Sequence, residues 1–239
     1  MIEELAHALP DAREENIALF TPIIVEVMDK YNVNTPLRKA HYIAQMGHET
    51  GQLRYREEIA SGAAYEWRRD LGNVQKGDGQ LFKGRGHGML TGRYNYTKYD
   101  EYREGKRKYI LHPELVAEED YTCADTWGWY WDSKNLNHFA DKDSILTITR
   151  AVNGGYNGLE DRKRLLVLAK QAFGVSETDD SPEHRIQRLL VKAGYDLVID
   201  GIIGKQTKIA VIAFQRSHGL VSDGVVGPIT NSILEKYDG

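Results

Sequence analysis

The sequence predicts a mainly α-helical chain made of one large and one small domain. Three observations carry this. Thr-Pro helix starts are followed by apolar residues at helical spacing, alternating strand patterns are scarce, and a near repeat is confined to residues 182–239.

Taken in order, Thr21-Pro22 reads as a helix cap with proline in the first turn, and Ile23, Ile24, Val27 and Met28 then fall on one face. Thr35-Pro36 repeats the device. Leu37, Ala40, Ile43, Ala44 and Gly47 follow at helical spacing, and the helix is expected to stop near Thr50-Gly51. Residues 125–131, 145–152 and 159–173 read as further helices, whereas residues 94–99 read as extended. The polar stretch GVSETDDS at 174–181, just before Pro182, reads as a linker. It divides the chain into domains 1–175 and 182–239.

In the smaller domain, Asp200-Gly201 with Gly204 and Thr207 recurs as Asp223-Gly224 with Gly227 and Thr230. Each Asp-Gly pair offers a turn whose glycine is free to take positive φ. Helices are expected from Pro182, around Ala210 and Phe214, and from Pro228, which makes a three-helix bundle. Two repeat units are too few for a solenoid.

Bulk properties narrow the function. The formal net charge of −4 gives no electrostatic argument for nucleic acid, and no apolar run has the roughly 20 residues a membrane span needs. The single cysteine, Cys123, excludes an internal disulfide or a CxxC metal site and reads as a buried small side chain. The acidic N-terminal stretch lacks the pattern of a signal peptide, so synthesis in the cytoplasm is expected, with later release to any external substrate. No metal or organic cofactor is expected, and the chain is expected to be a monomer.

The segment HETGQLRYREE holds the candidate chemistry. Glu49 falls at the C-terminal end of the predicted helix, where the helix dipole and burial would disfavour an ionised carboxyl, as a general acid requires. Glu58 follows nine residues later. On one continuous helix the two would be roughly 13.5 Å apart. A stop at Gly51 lets the chain fold back toward the separation of about 6.5–9.5 Å that an inverting glycosidase uses. Glu57 is an equal rival for Glu58 at this point, and both belong to a pool of 35 acids, most of them solvated. HETGQ lacks the second histidine of a zinc-protease helix. The glycine-rich stretch 77–96 contains no phosphate-loop pattern. Its Tyr94, Asn95 and Tyr96 suit sugar rings and N-acetyl groups, although a tightly turned structural loop fits equally well.

The motifs HET at 48–50, GDG at 77–79, GRG at 84–86, LTGRYNY at 90–96 and ITRAVNGGYNGLEDR at 148–162 occur in an order that resembles glycoside hydrolase family 19. The resemblance covers most of residues 35–175 and implies a lysozyme-like, mainly α, inverting enzyme. It implies Glu49 as general acid, Glu58 as general base and Thr91 as the hydroxyl holding the attacking water. It further implies His48, Tyr94, Asn95 and Asn153 as substrate-binding residues, with Arg162 supporting the acidic cluster and Arg85 buttressing the loop. Met89 departs from the family's frequent glutamine. The short gap between the glutamates resembles the phage enzymes more than the chitinases. Residues 187–234 resemble the three-helix peptidoglycan-binding domain of wall hydrolases. Together these imply an endolysin cleaving β-1,4 bonds of peptidoglycan, its polysaccharide substrate and anchoring ligand. A chitinase, a lytic transglycosylase using Glu49 alone, and a non-catalytic wall-binding protein are the alternatives.

Overall fold

The computed structural model describes residues 1–103, 105–175, 182–197, 199, 201 and 203–238. Two compact units emerge, Met1–Val175 and Ser176–Gly239. Residues 176–181 of the inferred linker, and Asp200 and Ile202 of the first Asp-Gly turn, lie outside the described residues. Among the described residues no helix is long and apolar enough to cross a membrane.

The larger unit runs α1 (Ile2–Ala8), α2 (Glu14–Lys30), α3 (Pro36–Glu49), α4 (Asp78–Leu81), α5 (Arg93–Arg103), α6 (Lys108–Leu111), α7 (Leu115–Glu118), α8 (Asp120–Ser133), α9 (Leu136–Ala140), α10 (Ile145–Asn153) and α11 (Leu159–Ala172). Helix α3 starts as its sequence suggests: the Thr35 side chain accepts from Arg38 N at 3.2 Å and Pro36 opens the helix. It packs against α11, which also receives α1. Gly47 makes the fit possible, because a methyl group there would lie 2.4 Å from Leu9 Cδ2.

Two expectations are corrected. Thr21-Pro22 does not start a helix; α2 begins seven residues earlier, and Pro22 lies inside it. Proline removes one backbone donor, but the buried face of Ile17, Phe20, Ile24, Val27 and Met28 is continuous across it, and packing outweighs the local penalty. Thr21 turns its hydroxyl back to Ile17 O at 2.6 Å instead of capping. Residues 94–99 are helical, not extended. Tyr96 and Tyr99, three apart, both reach the cluster of Phe82, Leu90, Tyr109 and Val116, a register only a helix provides.

Helices α2, α5 and α8 meet at Asp125, whose side chain is wholly buried. Its Oδ1 accepts from Lys30 Nζ at 2.7 Å and Tyr31 Oη at 3.0 Å; its Oδ2 accepts from Tyr99 Oη at 2.8 Å and faces Arg103 at 3.5 Å. Nearby, Cys123 is buried, and burial pushes its thiol up to about 12.

In the smaller unit α12 (Pro182–Lys192), α13 (Lys205–Ser217) and α14 (Pro228–Leu234) enclose Leu189, Leu190, Val211, Phe214 and Leu234. A buried glutamine pins each Asp-Gly turn. Gln187 accepts from Gly201 N at 2.7 Å and donates to Thr207 Oγ1 at 3.2 Å. Gln215 accepts from Gly224 N at 2.9 Å and donates to Thr230 Oγ1 at 3.3 Å. Gly201 and Gly224 have φ of 70° and 73°.

Asp125→Ala removes the anion at the meeting point of three helices while leaving two cations and two phenols behind. It is expected to destabilise the larger unit by about 3–5 kcal/mol, read as a lower denaturant midpoint. A midpoint equal to that of the unaltered chain would contradict this role.

Candidate active site

Helix α3 ends at Glu49, and the chain then reverses through Gly51, Gln52 and Leu53, all left-handed, with φ of 56°, 59° and 65°. Two of the three are not glycine, and each costs about 1–2 kcal/mol in this conformation. Side chains hold the reversal in place. Thr50 Oγ1 accepts from Leu53 N and donates to Met46 O, both at 2.8 Å. Gln52 Nε2 donates to Asp11 Oδ2 at 2.7 Å, Gln52 Oε1 accepts from Asp11 N at 2.9 Å, and Asn16 Nδ2 donates to Leu53 O at 3.0 Å. The chain emerges along the glycine loop: Glu58 N donates to Gly84 O at 2.9 Å and Gly86 N to Arg56 O at 2.7 Å.

Glu49 is half-buried and bonded through Oε1 to the guanidinium of Arg162, a side chain 1% exposed. Arg162 also donates to Gln45 Oε1 at 2.5 Å, one turn before Glu49 on α3, and to Asn157 O at 3.4 Å. Gln45 in turn donates to Thr149 Oγ1 at 3.2 Å. Beside Glu49, His48 Nδ1 lies 2.7 Å from Asp161 Oδ2, and its ring rests on Gly158, where an added methyl group would come within 2.2 Å. Burial opposes ionisation of Asp161, but bonds from His48 and Arg164 hold its carboxyl below the ordinary value.

Both carboxylate oxygens of Glu58 are engaged. Oε1 accepts from Gly84 N at 2.7 Å and Oε2 from Tyr65 Oη at 2.8 Å. Burial, then the Glu58 carboxylate, raises the Tyr65 phenol, so it stays a donor. A methyl group at Gly84 would lie 3.2 Å from Thr91 Oγ1 and 3.5 Å from Glu58 Cδ; hydroxyl and carboxyl therefore flank this glycine. Glu57 differs from its neighbour. Its carboxylate is half exposed and paired with Lys83 at 3.2 Å and Arg85 at 3.3 Å.

A groove of about 480 Å³ is lined by Thr91, Tyr94, Asn95, Trp129, Tyr130 and Ser133. Burial, then the Glu49 charge, raises the Tyr130 phenol, whose Oη donates to Ala151 O at 3.1 Å.

The chain is similar to several known proteins. A "Glycosyl hydrolase family 19 domain-containing protein" of Haemophilus influenzae is 27% identical over 172 residues, which covers 58% of this chain and 81% of that protein. In sequence the chain is therefore similar to a family 19 glycosyl hydrolase domain. Chitinase C of Streptomyces griseus superimposes with a TM-score of 0.59 at 18% identity, covering 73% of this chain and 76% of its own. A bacterial family 19 chitinase superimposes with a TM-score of 0.58, also at 18% identity, over 73% of this chain and 94% of its own. The larger unit therefore has the family 19 fold. Residues 184–234 match the family described as "Putative peptidoglycan binding domain".

Against this fold the residues named from sequence fall into groups. Glu49 with Arg162 forms one cluster, and Glu58 with Thr91 another. Tyr94 and Asn95 line the groove, with Asn95 Nδ2 donating to Thr91 O at 2.8 Å. His48 is engaged by Asp161. Asn153 ends α10, exposed, just beyond the carbonyls that Tyr130 binds. Arg85 is 9% exposed and bonds Leu81 O and Tyr96 Oη, which holds the loop from beneath. Three contributors were missed. Gln45, four residues before Glu49, was readable from helical spacing. Tyr65 lies in an aperiodic stretch, and Tyr130 joins the site only through tertiary packing.

Under the glycine loop, His87 is wholly buried against Phe20, with ring centroids 4.6 Å apart, and neither ring nitrogen has a hydrogen-bond partner. Burial, then the positive charge of Arg56, itself paired with Asp120, lowers its pKa to about 3. The folded chain keeps this ring neutral, whereas the unfolded chain protonates it below about 6.5. Its contribution is therefore present above pH 6.5 and is lost as pH falls toward 3, with a slope of up to about 1.4 kcal/mol per pH unit. Urea midpoints measured at pH 7 and 4.5 should fall further for the unaltered chain than for His87→Leu. Equal falls would rule the effect out.

Proposed function

We propose that the chain is an endolysin-type muramidase that hydrolyses β-1,4 bonds of peptidoglycan with inversion and acts at the bacterial wall. One observation supports the reading: a groove lined by Thr91, Tyr94, Asn95, Trp129 and Tyr130, whose Thr91 flanks the same glycine as Glu58. In this reading a glycan bound there presents the bond to be cut to Glu49 and Glu58.

Glu49 donates its proton to the leaving oxygen, and Arg162 stabilises the carboxylate left behind. Glu58 accepts a proton from water. Its oxygens are oriented by Gly84 N and Tyr65 Oη, and Thr91 Oγ1 fixes the water from the other side of Gly84. The pairing of Glu57 with Lys83 and Arg85 supports Glu58 as the base. Tyr94, Trp129 and Tyr130 offer ring faces to sugars, and Asn95 an amide. The smaller unit supports a wall substrate over chitin, because it matches a family described by peptidoglycan binding. Tethering raises the local concentration of the catalytic unit at the wall.

Glu49→Gln and Glu58→Gln should each lower release of reducing ends from sacculi by about 10²–10⁴, with an unchanged circular dichroism spectrum. Proton NMR of fresh product should show the α-anomer first. A β-anomer would overturn inversion, and anhydro-muramic ends would favour a transglycosylase. A chain ending at Val175 should still cut soluble glycan fragments, while its retention on sacculi falls by a factor on the order of 10².

A further inference from the structure

We propose that the groove holds a carboxylate-reading subsite built from two lysine–tyrosine pairs, Tyr94–Lys98 and Tyr130–Lys134, which recognises acidic stem peptides on the glycan. The proposal rests on the peptidoglycan reading above and adds to it the residues that separate a charged strand from neutral chitin.

Four observations support it. Lys98 and Lys134 are the only charged residues among the described ones lining the groove, in a chain where acids outnumber bases 35 to 31. Each ammonium sits over a tyrosine that also lines the groove: Lys98 Nζ lies 5.9 Å from the Tyr94 ring centroid, and Lys134 Nζ lies 5.7 Å from that of Tyr130. Each pair is spaced i, i+4, Tyr94–Lys98 within α5 and Tyr130–Lys134 across the C-terminal end of α8, so each lysine is held over its ring by helical geometry. The second pair is stiffened from behind, because Tyr130 stacks on buried Trp127 at 5.9 Å with 17° between the rings.

A ring face with an ammonium at its edge suits a sugar bearing an anionic substituent. The ring takes the apolar face of the sugar, and the ammonium takes a carboxylate reaching out from it. Chitin carries no such group, whereas stem peptides carry carboxylates at intervals along the strand. Lys98 also meets Glu101 at 3.0 Å, an exposed contact that a substrate carboxylate can replace at little cost. Both lysines are exposed, so their effect is modest, salt-sensitive and expressed in binding.

The test compares soluble peptide-bearing glycan strands with the same strands after their carboxylates have been converted to amides. In the full chain, Lys98→Gln with Lys134→Gln should raise KM on the acidic strands about three- to tenfold with kcat unchanged, and leave KM on the amidated strands unaltered. Lys98→Arg with Lys134→Arg should retain the low KM on acidic strands. An equal rise on both substrates, or no rise on either, overturns the subsite. An unaltered chain that cuts neither strand but cuts chitin oligomers overturns the peptidoglycan reading itself, and this inference with it.

Discussion

The site depends on a forced reversal. Had α3 continued past Glu49, Glu58 would stand roughly 13.5 Å further along the axis, out of reach of the same bond. Three successive left-handed residues prevent this, and only Gly51 adopts that conformation without a steric cost. The strain at Gln52 and Leu53 is offset by bonds from Asp11 and Asn16, in the loop before α2 and in its first turn. An apparently remote part of the fold is therefore what aims Glu58, because without those bonds the turn has no reason to hold its shape.

The second constraint is electrostatic. A guanidinium as buried as that of Arg162 is costly unless its donors are met. They are met by one carboxylate, one neutral amide and one carbonyl. Gln45 is neutral, so the cluster has a single formal anion, and that anion is Glu49. Asp125 works the other way round: one fixed anion shared by two cations and two phenols, at a place where no chemistry is proposed.

Which features were legible in the sequence follows from how local their causes are. The start and end of α3 were readable because capping and glycine termination act within a few residues. Pro22 misled because a local rule lost to a buried face that spans it. Residues 94–99 misled because tyrosines favour strands on average, while the i, i+3 pair of Tyr96 and Tyr99 packs only as a helix. In the smaller domain the Asp-Gly and Thr positions were visible as a repeat, yet the glutamines that pin both turns were not, since each acts across 9 to 14 residues. Tyr65 has no periodic signal at all; its role exists only because the reversal brings Glu58 to it.

Recognition and chemistry are held with unequal stiffness, and turnover gives a reason. Both oxygens of Glu58 and one of Glu49 are fixed by short bonds, from the Gly84 backbone, the half-buried Tyr65 phenol and the buried Arg162 guanidinium. The groove's lysines sit on exposed helix faces, where ion pairs are weak and salt-screened. Interactions that bind substrate and transition state equally lower KM without raising kcat, and strong ones would retain the cut strand. A polymer that is already tethered needs little more than orientation from the groove. Several weak contacts along helices that do not move can supply it, leaving the rigid pair to distinguish the transition state from the sugar that precedes it.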